Sequence, residues 1–160
     1  MVNSEIYRER LVMAPWVSLL FGFVIGIIAV MVYVKIYFGI NLGRNTSSTA
    51  TLFGVEVFLI LVYLVFMRLD ISIDPERVEV RFGIIRKTIP IEEIVSCEPT
   101  YASFTVYGGV GIRYGIDGSM AFTTSFGDAV KIKKRKGRSF VFSTNGPIEV
   151  LEHINRLIVT

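Results

Sequence analysis

The sequence predicts an α+β membrane protein: a two-helix transmembrane hairpin over residues 1–67, then a roughly seven-stranded antiparallel bent sheet or barrel with a C-terminal helix over 68–160. Three observations carry that expectation. The chain of 160 residues is 52% hydrophobic and 19% charged, with a mean hydropathy of +0.56. Soluble domains sit near about 45–50% apolar and about 25% charged, so the surplus has to lie somewhere particular. It lies in two stretches: from Ala14 to Phe38 the only charged side chain is Lys35, and from Thr51 to Met67 the only one is Glu56. Past Met67 continuous apolarity gives way to alternation and turn residues.

A bilayer core of about 30 Å needs about 20 apolar residues in a helix. The spans expected are therefore about 14–38 and 50–67, the second borrowing Thr49 and Ala50. A cleaved signal peptide fits the first stretch poorly, because the run is too long and no small-x-small site precedes Asn41. Arg8 and Arg10 precede the first span, and Arg68, Arg77, Arg81, Arg86 and Lys87 follow the second, whereas the connection carries only Arg44. Positive residues favour the inner side, so the expected location is the cell membrane, crossed twice, with both termini cytoplasmic. The Asn45-Thr-Ser47 triplet matches a glycosylation sequon, a three-residue signal of low specificity.

Ser18, Gly22 and Gly26 recur every fourth residue in the first span, a small-residue face of the kind along which helices approach in lipid. It serves packing against the second span or homo-oligomerisation. Folding the hairpin near Arg44 brings Lys35 and Glu56 to nearly equal depth. Charge in hydrocarbon is expensive, so an ion pair or snorkelling is expected of them rather than an ion pathway.

In the second part, Leu69, Ile71 and Ile73 alternate with Asp70, Ser72 and Asp74, the signature of a half-buried strand. Asp74-Pro75-Glu76 is a turn. Val78, Val80 and Phe82 alternate again, Gly83 interrupts, and a third strand covers 84–89 to Pro90. Ile91–Ile94 is a short helical turn leading into a strand over 95–101, with further strands around 111–117 and 119–124. The stretches 129–134 and 138–143 flank the tip Arg135-Lys136-Gly137 and form a hairpin. Pro147 opens a helix with an apolar stripe of Ile148, Leu151, Ile154 and Ile158.

That order, with three phrases, resembles the prokaryotic pleckstrin-homology-like domain family. The phrases are Val80–Ile94, with its strand, glycine turn, strand and Ile-Pro passage; Tyr107-Gly-Gly-Val-Gly-Ile-Arg113; and Asp128 through Leu151, covering the final hairpin and helix. In the second, Val110 stands where the family usually has tryptophan. The resemblance implies a PH-like fold over most of 68–160, and the preceding spans are a common arrangement in such proteins. It implies much less about function, because the fold hosts lipid, peptide and assembly roles.

Side chains suited to catalysis are sparse. The single histidine, His153, is expected on the polar side of the last helix, and the single cysteine, Cys97, reads as a small core residue. Glu92 and Glu93 cap the turn before Ile94. Gly109, Gly111 and Gly115 lack the strand-to-helix context and the Lys-Ser/Thr ending of a phosphate loop. No catalytic residue, metal or cofactor is expected. A converging set of buried polar side chains near Arg113, Tyr114 and Asp117 would argue for an enzyme instead.

The strongest charge feature is Lys131, Lys133, Lys134, Arg135, Lys136 and Arg138, six basic residues within eight. Residues 68–160 hold 13 Lys and Arg against 11 Asp and Glu, so without these six the balance is 7 against 11. The hairpin is a basic tip on an otherwise acidic domain. It suits anionic lipid head groups or an acidic partner, or it is a solvated tip that lysines protect from edge pairing. Nucleic acid is not expected, since aromatics are not interleaved with the cluster. The function expected is a non-enzymatic, membrane-anchored binding or assembly module, self-associating or an accessory subunit of a membrane complex. The alternative is a binder of anionic lipid through 131–138.

Overall fold

A computed structural model describes residues 6–39 and 48–159. The chain divides into a helical unit, Ala14–Val65, and a β-rich unit made of the residues up to Met13 and those from Phe66 onward.

The helical unit contains α1 (Pro15–Phe38) and α2 (Thr49–Phe66), which coincide within one residue with the two expected spans, 14–38 and 50–67. Pro15 suits the first turn, where its missing N–H has no helical partner. At 24 and 18 residues the helices measure about 36 and 27 Å, long enough and apolar enough to cross a bilayer. Only Val17 is buried in α1 and nothing is in α2, so neither is covered as a soluble core helix is. Phe21 and Tyr63 bring the two together, ring centroids 5.6 Å apart. The connecting residues 40–47, with Arg44 and the Asn45 triplet, lie outside the described residues.

The β-rich unit has two sheets. The first has the order β1-β2-β3-β4, from β1 (Tyr7–Val12), β2 (Arg68–Ile73), β3 (Arg77–Phe82) and β4 (Ile85–Pro90). Its period-two pattern is as the alternation requires: Leu69, Ile71, Ile73, Val78, Val80 and Phe82 are all buried. The strand β1 was not foreseen. Tyr7–Val12 precedes the first helix, yet it pairs antiparallel with β2 from Tyr7↔Ile73 to Val12↔Arg68. The Met13 N–H also donates to the Met67 carbonyl at 2.9 Å. Residues 7–12, which a division at 67/68 assigns to the hairpin, are thus part of the sheet.

The second sheet has the order β5-β8-β9-β7-β6, from β5 (Ile94–Ala102), β6 (Gly111–Tyr114), β7 (Met120–Thr123), β8 (Gly127–Lys134) and β9 (Phe140–Ser143). Three expectations need correction. The strands number nine among the described residues, and they form two open sheets rather than a barrel. The break falls at the 3-10 turn Ile91–Glu93, between β4 and β5. Nor is the pairing wholly antiparallel, because β7 and β9 run parallel, Met120↔Phe140 to Phe122↔Phe142. β8 runs antiparallel to β9, which slots back between β8 and β7. Between β5 and β6 lies a helical turn, α3 (Phe104–Tyr107), with Gly108 left-handed after it at φ 67°.

The helix α4 (Pro147–Val159) packs on β5, β8 and the 3-10 turn. Its inward face is Val150 and Ile154, fully buried, with Leu151, Leu157 and Ile158 beside them. Ile148, read as part of the stripe, is exposed. Five phenylalanines run through the core between the sheets: Phe66, Phe82, Phe122, Phe140 and Phe142, successive ring centroids 5.2–6.0 Å apart.

Candidate functional site

The basic hairpin forms as expected. β8 and β9 pair from Ala129↔Ser143 to Ile132↔Phe140, and Gly137, at φ 85°, supplies the left-handed turn conformation that other residues resist. The six basic side chains do not form one patch. Ladder geometry sends Lys131 and Lys133 to the side opposite Ile132, where each meets a carboxylate: Lys131 Nζ lies 2.6 Å from Asp117, and Lys133 Nζ 2.9 Å from Glu98. The Arg135 N–H donates to the Glu93 carbonyl at 2.8 Å. Its side chain rims a cleft of ≈ 620 Å³ floored by Ile91, Leu157 and Ile158. Lys136 is exposed at the tip.

Lys134 and Arg138 go elsewhere. With Lys87 of β4, Tyr114 of β6 and Ser139, they line a recess of ≈ 230 Å³ floored by Met120. The Arg138 guanidinium lies over the Tyr114 ring, 5.2 Å from its centroid, a cation–π contact that orients it. Among the described residues, Lys87, Lys134 and Arg138 have no carboxylate within ion-pair distance.

Lys131 belongs to a polar cluster of Tyr107, Asp117 and Ser119. Asp117 Oδ1 accepts from the Ser119 hydroxyl at 2.6 Å and from the Ser119 N–H at 3.0 Å. The Tyr107 and Ser119 hydroxyls are 3.1 Å apart. Burial pushes the Asp117 carboxyl up, but the hydrogen bonds from Lys131 and Ser119 outweigh it and hold the group at about 2. The bond to Asp117 raises Lys131 in turn. Gly115 closes the turn over this cluster: a Cβ there would collide with Asp117 Oδ1 and fall 2.8 Å from the Tyr107 ring. Polar side chains therefore do converge near Asp117, though Arg113 and Tyr114 are exposed and stand apart. Ser119 donates to a carboxylate already engaged by Lys131, which leaves that carboxylate a weak base for activating a hydroxyl.

A group whose folded pKa is lowered stabilises the fold above its unfolded value and loses that contribution as pH falls. For Asp117 the window runs from 3.8 down to about 2. Because the pair is partly solvated, its worth at neutral pH is on the order of 1 kcal/mol. Asp117→Asn is expected to lower stability by that amount at pH 7 and to converge with the parent at the acid end. Denaturant unfolding across pH checks this, and a difference independent of pH would contradict it.

The Cys97 thiol is half-buried opposite Ile132 and burial pushes it up to about 12, leaving little thiolate. His153 is half-buried with its ring 6.0 Å from that of Tyr7, rather than on a free polar face. Glu92 and Glu93 lie in the 3-10 turn, but they do not cap it: no side chain among the described residues does, and the Ile94 N–H donates to the Ile91 carbonyl. Among the described residues no three His, Cys, Asp or Glu side chains gather as a metal site. Lys35 lies in the last turn of α1 and Glu56 in α2, both half-buried. A Cβ added at Gly22 or Gly26 would meet nothing within 4 Å, so α2 does not occupy that part of the small-residue face; Ser18, one turn earlier, is half-buried.

One set of contacts lay outside the sequence reading. Glu9, inward on β1, accepts from the Thr144 hydroxyl at 2.5 Å, from the Asn145 N–H at 2.8 Å and from the Tyr7 hydroxyl at 3.1 Å. It ties the segment before α1 to the loop before α4.

No family model, curated protein or solved structure matches the chain.

Proposed function

We propose that the chain is a membrane-anchored, non-enzymatic binding and assembly module, with a PH-like β unit on the cytoplasmic side and two spans through the cell membrane. The strand pairing favours this arrangement. The chain leaves the first sheet at Val12 and returns at Arg68, and these two residues are register partners. Through Leu69↔Phe82 and Phe82↔Ile85, the same end of the sheet carries the β3–β4 turn, where Ile84 is 86% exposed and Arg86 follows. An exposed apolar residue beside cations suits a bilayer interface.

The observation that carries the assembly reading is the open Gly22–Gly26 face of α1. Small residues at this spacing let helix backbones approach closely in lipid, and among the described residues nothing covers that stretch, which leaves it for a second copy or another membrane subunit. In mild detergent the parent is expected to run as an oligomer or with a retained membrane-protein subunit. A Gly22→Leu/Gly26→Leu variant is expected to lose that association by light scattering while keeping its circular dichroism. A parent that is strictly monomeric and retains no subunit refutes the reading.

A second reading, binding of anionic lipid through the hairpin 131–138, is favoured by one observation: Lys134 and Arg138 have no carboxylate partner among the described residues, unlike Lys131 and Lys133.

A further inference from the structure

We infer that the recess between β4, β6 and the β8–β9 turn is a phosphate-binding site, with Lys87, Lys134 and Arg138 as its cations. The inference rests on the anionic-ligand reading and narrows it from a charged tip to a built pocket.

The recess takes its cations from two places far apart in sequence. Lys87 comes from the middle of β4, and Lys134 and Arg138 flank the hairpin tip. All three face a volume of ≈ 230 Å³ with no acidic side chain in its lining. That is below the range of about 300–1,000 Å³ in which drug-sized ligands bind, and it suits a single small anion. Charge narrows the choice. One carboxylate would leave two of the three cations uncompensated, whereas a phosphate monoester carries about −1.5 to −2 and offers three acceptor oxygens. Arg138 is the best prepared of the three. Its guanidinium lies over the Tyr114 ring, 5.2 Å from the centroid, which holds it beside the recess, and the planar fork of a guanidinium matches two phosphate oxygens at once. Ser139 also lines the recess.

The source of the phosphate is a lipid headgroup or a soluble phosphate, and chain connectivity ties the same sheet to the two helices. Lys87 pairs with Val80 and Val80 with Ile71, so Lys87 stands three residues from Arg68, about 10 Å along the strand from the end that joins the helices.

Three probes test this on the full chain in neutral detergent, by titration calorimetry: inorganic phosphate, short-chain phosphatidic acid and short-chain phosphatidylcholine. Phosphate or phosphatidic acid is expected to bind saturably, and phosphatidylcholine not at all. Tighter binding of phosphatidic acid identifies the headgroup as the source, and binding of phosphate alone identifies a soluble one. Lys87→Gln and Arg138→Gln are each expected to weaken binding roughly fivefold to tenfold, with Lys87→Arg restoring most of it. Lys133→Gln and Lys136→Gln should leave it within about twofold, because those side chains lie outside the recess. Equal weakening by all four Gln variants overturns the pocket while leaving the hairpin's lipid reading in place. No saturable binding of either phosphate or phosphatidic acid overturns both.

Discussion

Replacing Phe82 by alanine is expected to cost about 3–5 kcal/mol, the range for emptying a fully buried aromatic site. Phe82 is the last residue of β3 and has no exposed surface. Its ring meets Phe66 at 5.4 Å and Phe122 at 5.7 Å. Phe122 lies on β7 and leads on to Phe140 at 5.2 Å, so Phe82 links the core of the first sheet to that of the second. Each such aromatic pair adds about 0.5–1.5 kcal/mol beyond the area it buries. Phe82→Leu keeps most of the volume and should cost well under half as much. Unfolding of the full chain in detergent, followed by near-ultraviolet circular dichroism, measures both. A loss below about 1 kcal/mol for the alanine variant would mean that the two sheets do not depend on this contact.

The parts of the fold written in local patterns were legible. Two apolar runs marked two helices because hydrophobicity and length are local properties. Leu69, Ile71, Ile73, Val78, Val80 and Phe82 marked two strands for the same reason. What the pattern did not carry was non-local. Whether strands close into a barrel depends on which edges meet, and the 3-10 turn at Ile91–Glu93 separates β4 from β5 without any change in alternation. The parallel pairing of β7 with β9 follows from a strand inserted after a hairpin, which no local spacing records. The strand β1 escaped for a sharper reason. In Tyr7-Arg-Glu-Arg-Leu-Val12 the middle inward position is Glu9, so a charge stands where period two calls for an apolar residue.

The site divides along the same line. The run Lys131–Arg138 was visible as composition, and its central feature, a glycine-tipped hairpin, was correctly placed. The sorting of its charges was not. Lys131 and Lys133 are engaged by Asp117 and Glu98, from other strands or loops, and Lys134 and Arg138 share a recess with Lys87. Lys87 had counted only towards membrane orientation. The one available signal was the pair Arg86-Lys87 on a strand whose alternation turns one of the two to each face.

Glu9→Ala is expected to cost about 2–3 kcal/mol, because it removes a charged acceptor shared by three donors. The loss has a place as well as a size. Thr144 is buried and its hydroxyl would lose its acceptor while still accepting from the Gly146 N–H, and β1 would lose the Glu9 hydrogen bonds to the loop before α4. Tyr7 gives a second handle. Burial first, then the Glu9 charge and the hydrogen bond to it, push the Tyr7 hydroxyl up to about 12. A raised folded pKa contributes stability that is complete below the unfolded value of 10.0 and is lost as pH rises through about 12. Glu9→Gln keeps an acceptor but removes the charge, so its tyrosinate-linked loss of stability should be smaller than the parent's and finish at a lower pH. Tyr7→Phe should show no tyrosinate-linked step at that position. Hydrogen exchange on residues 7–12 locates the effect: faster exchange confined to β1 is expected, while the partner strands β2 and β3 keep their protection. Uniform acceleration across the unit would mean that Glu9 supports the whole core and is not a latch for the strand that runs into α1.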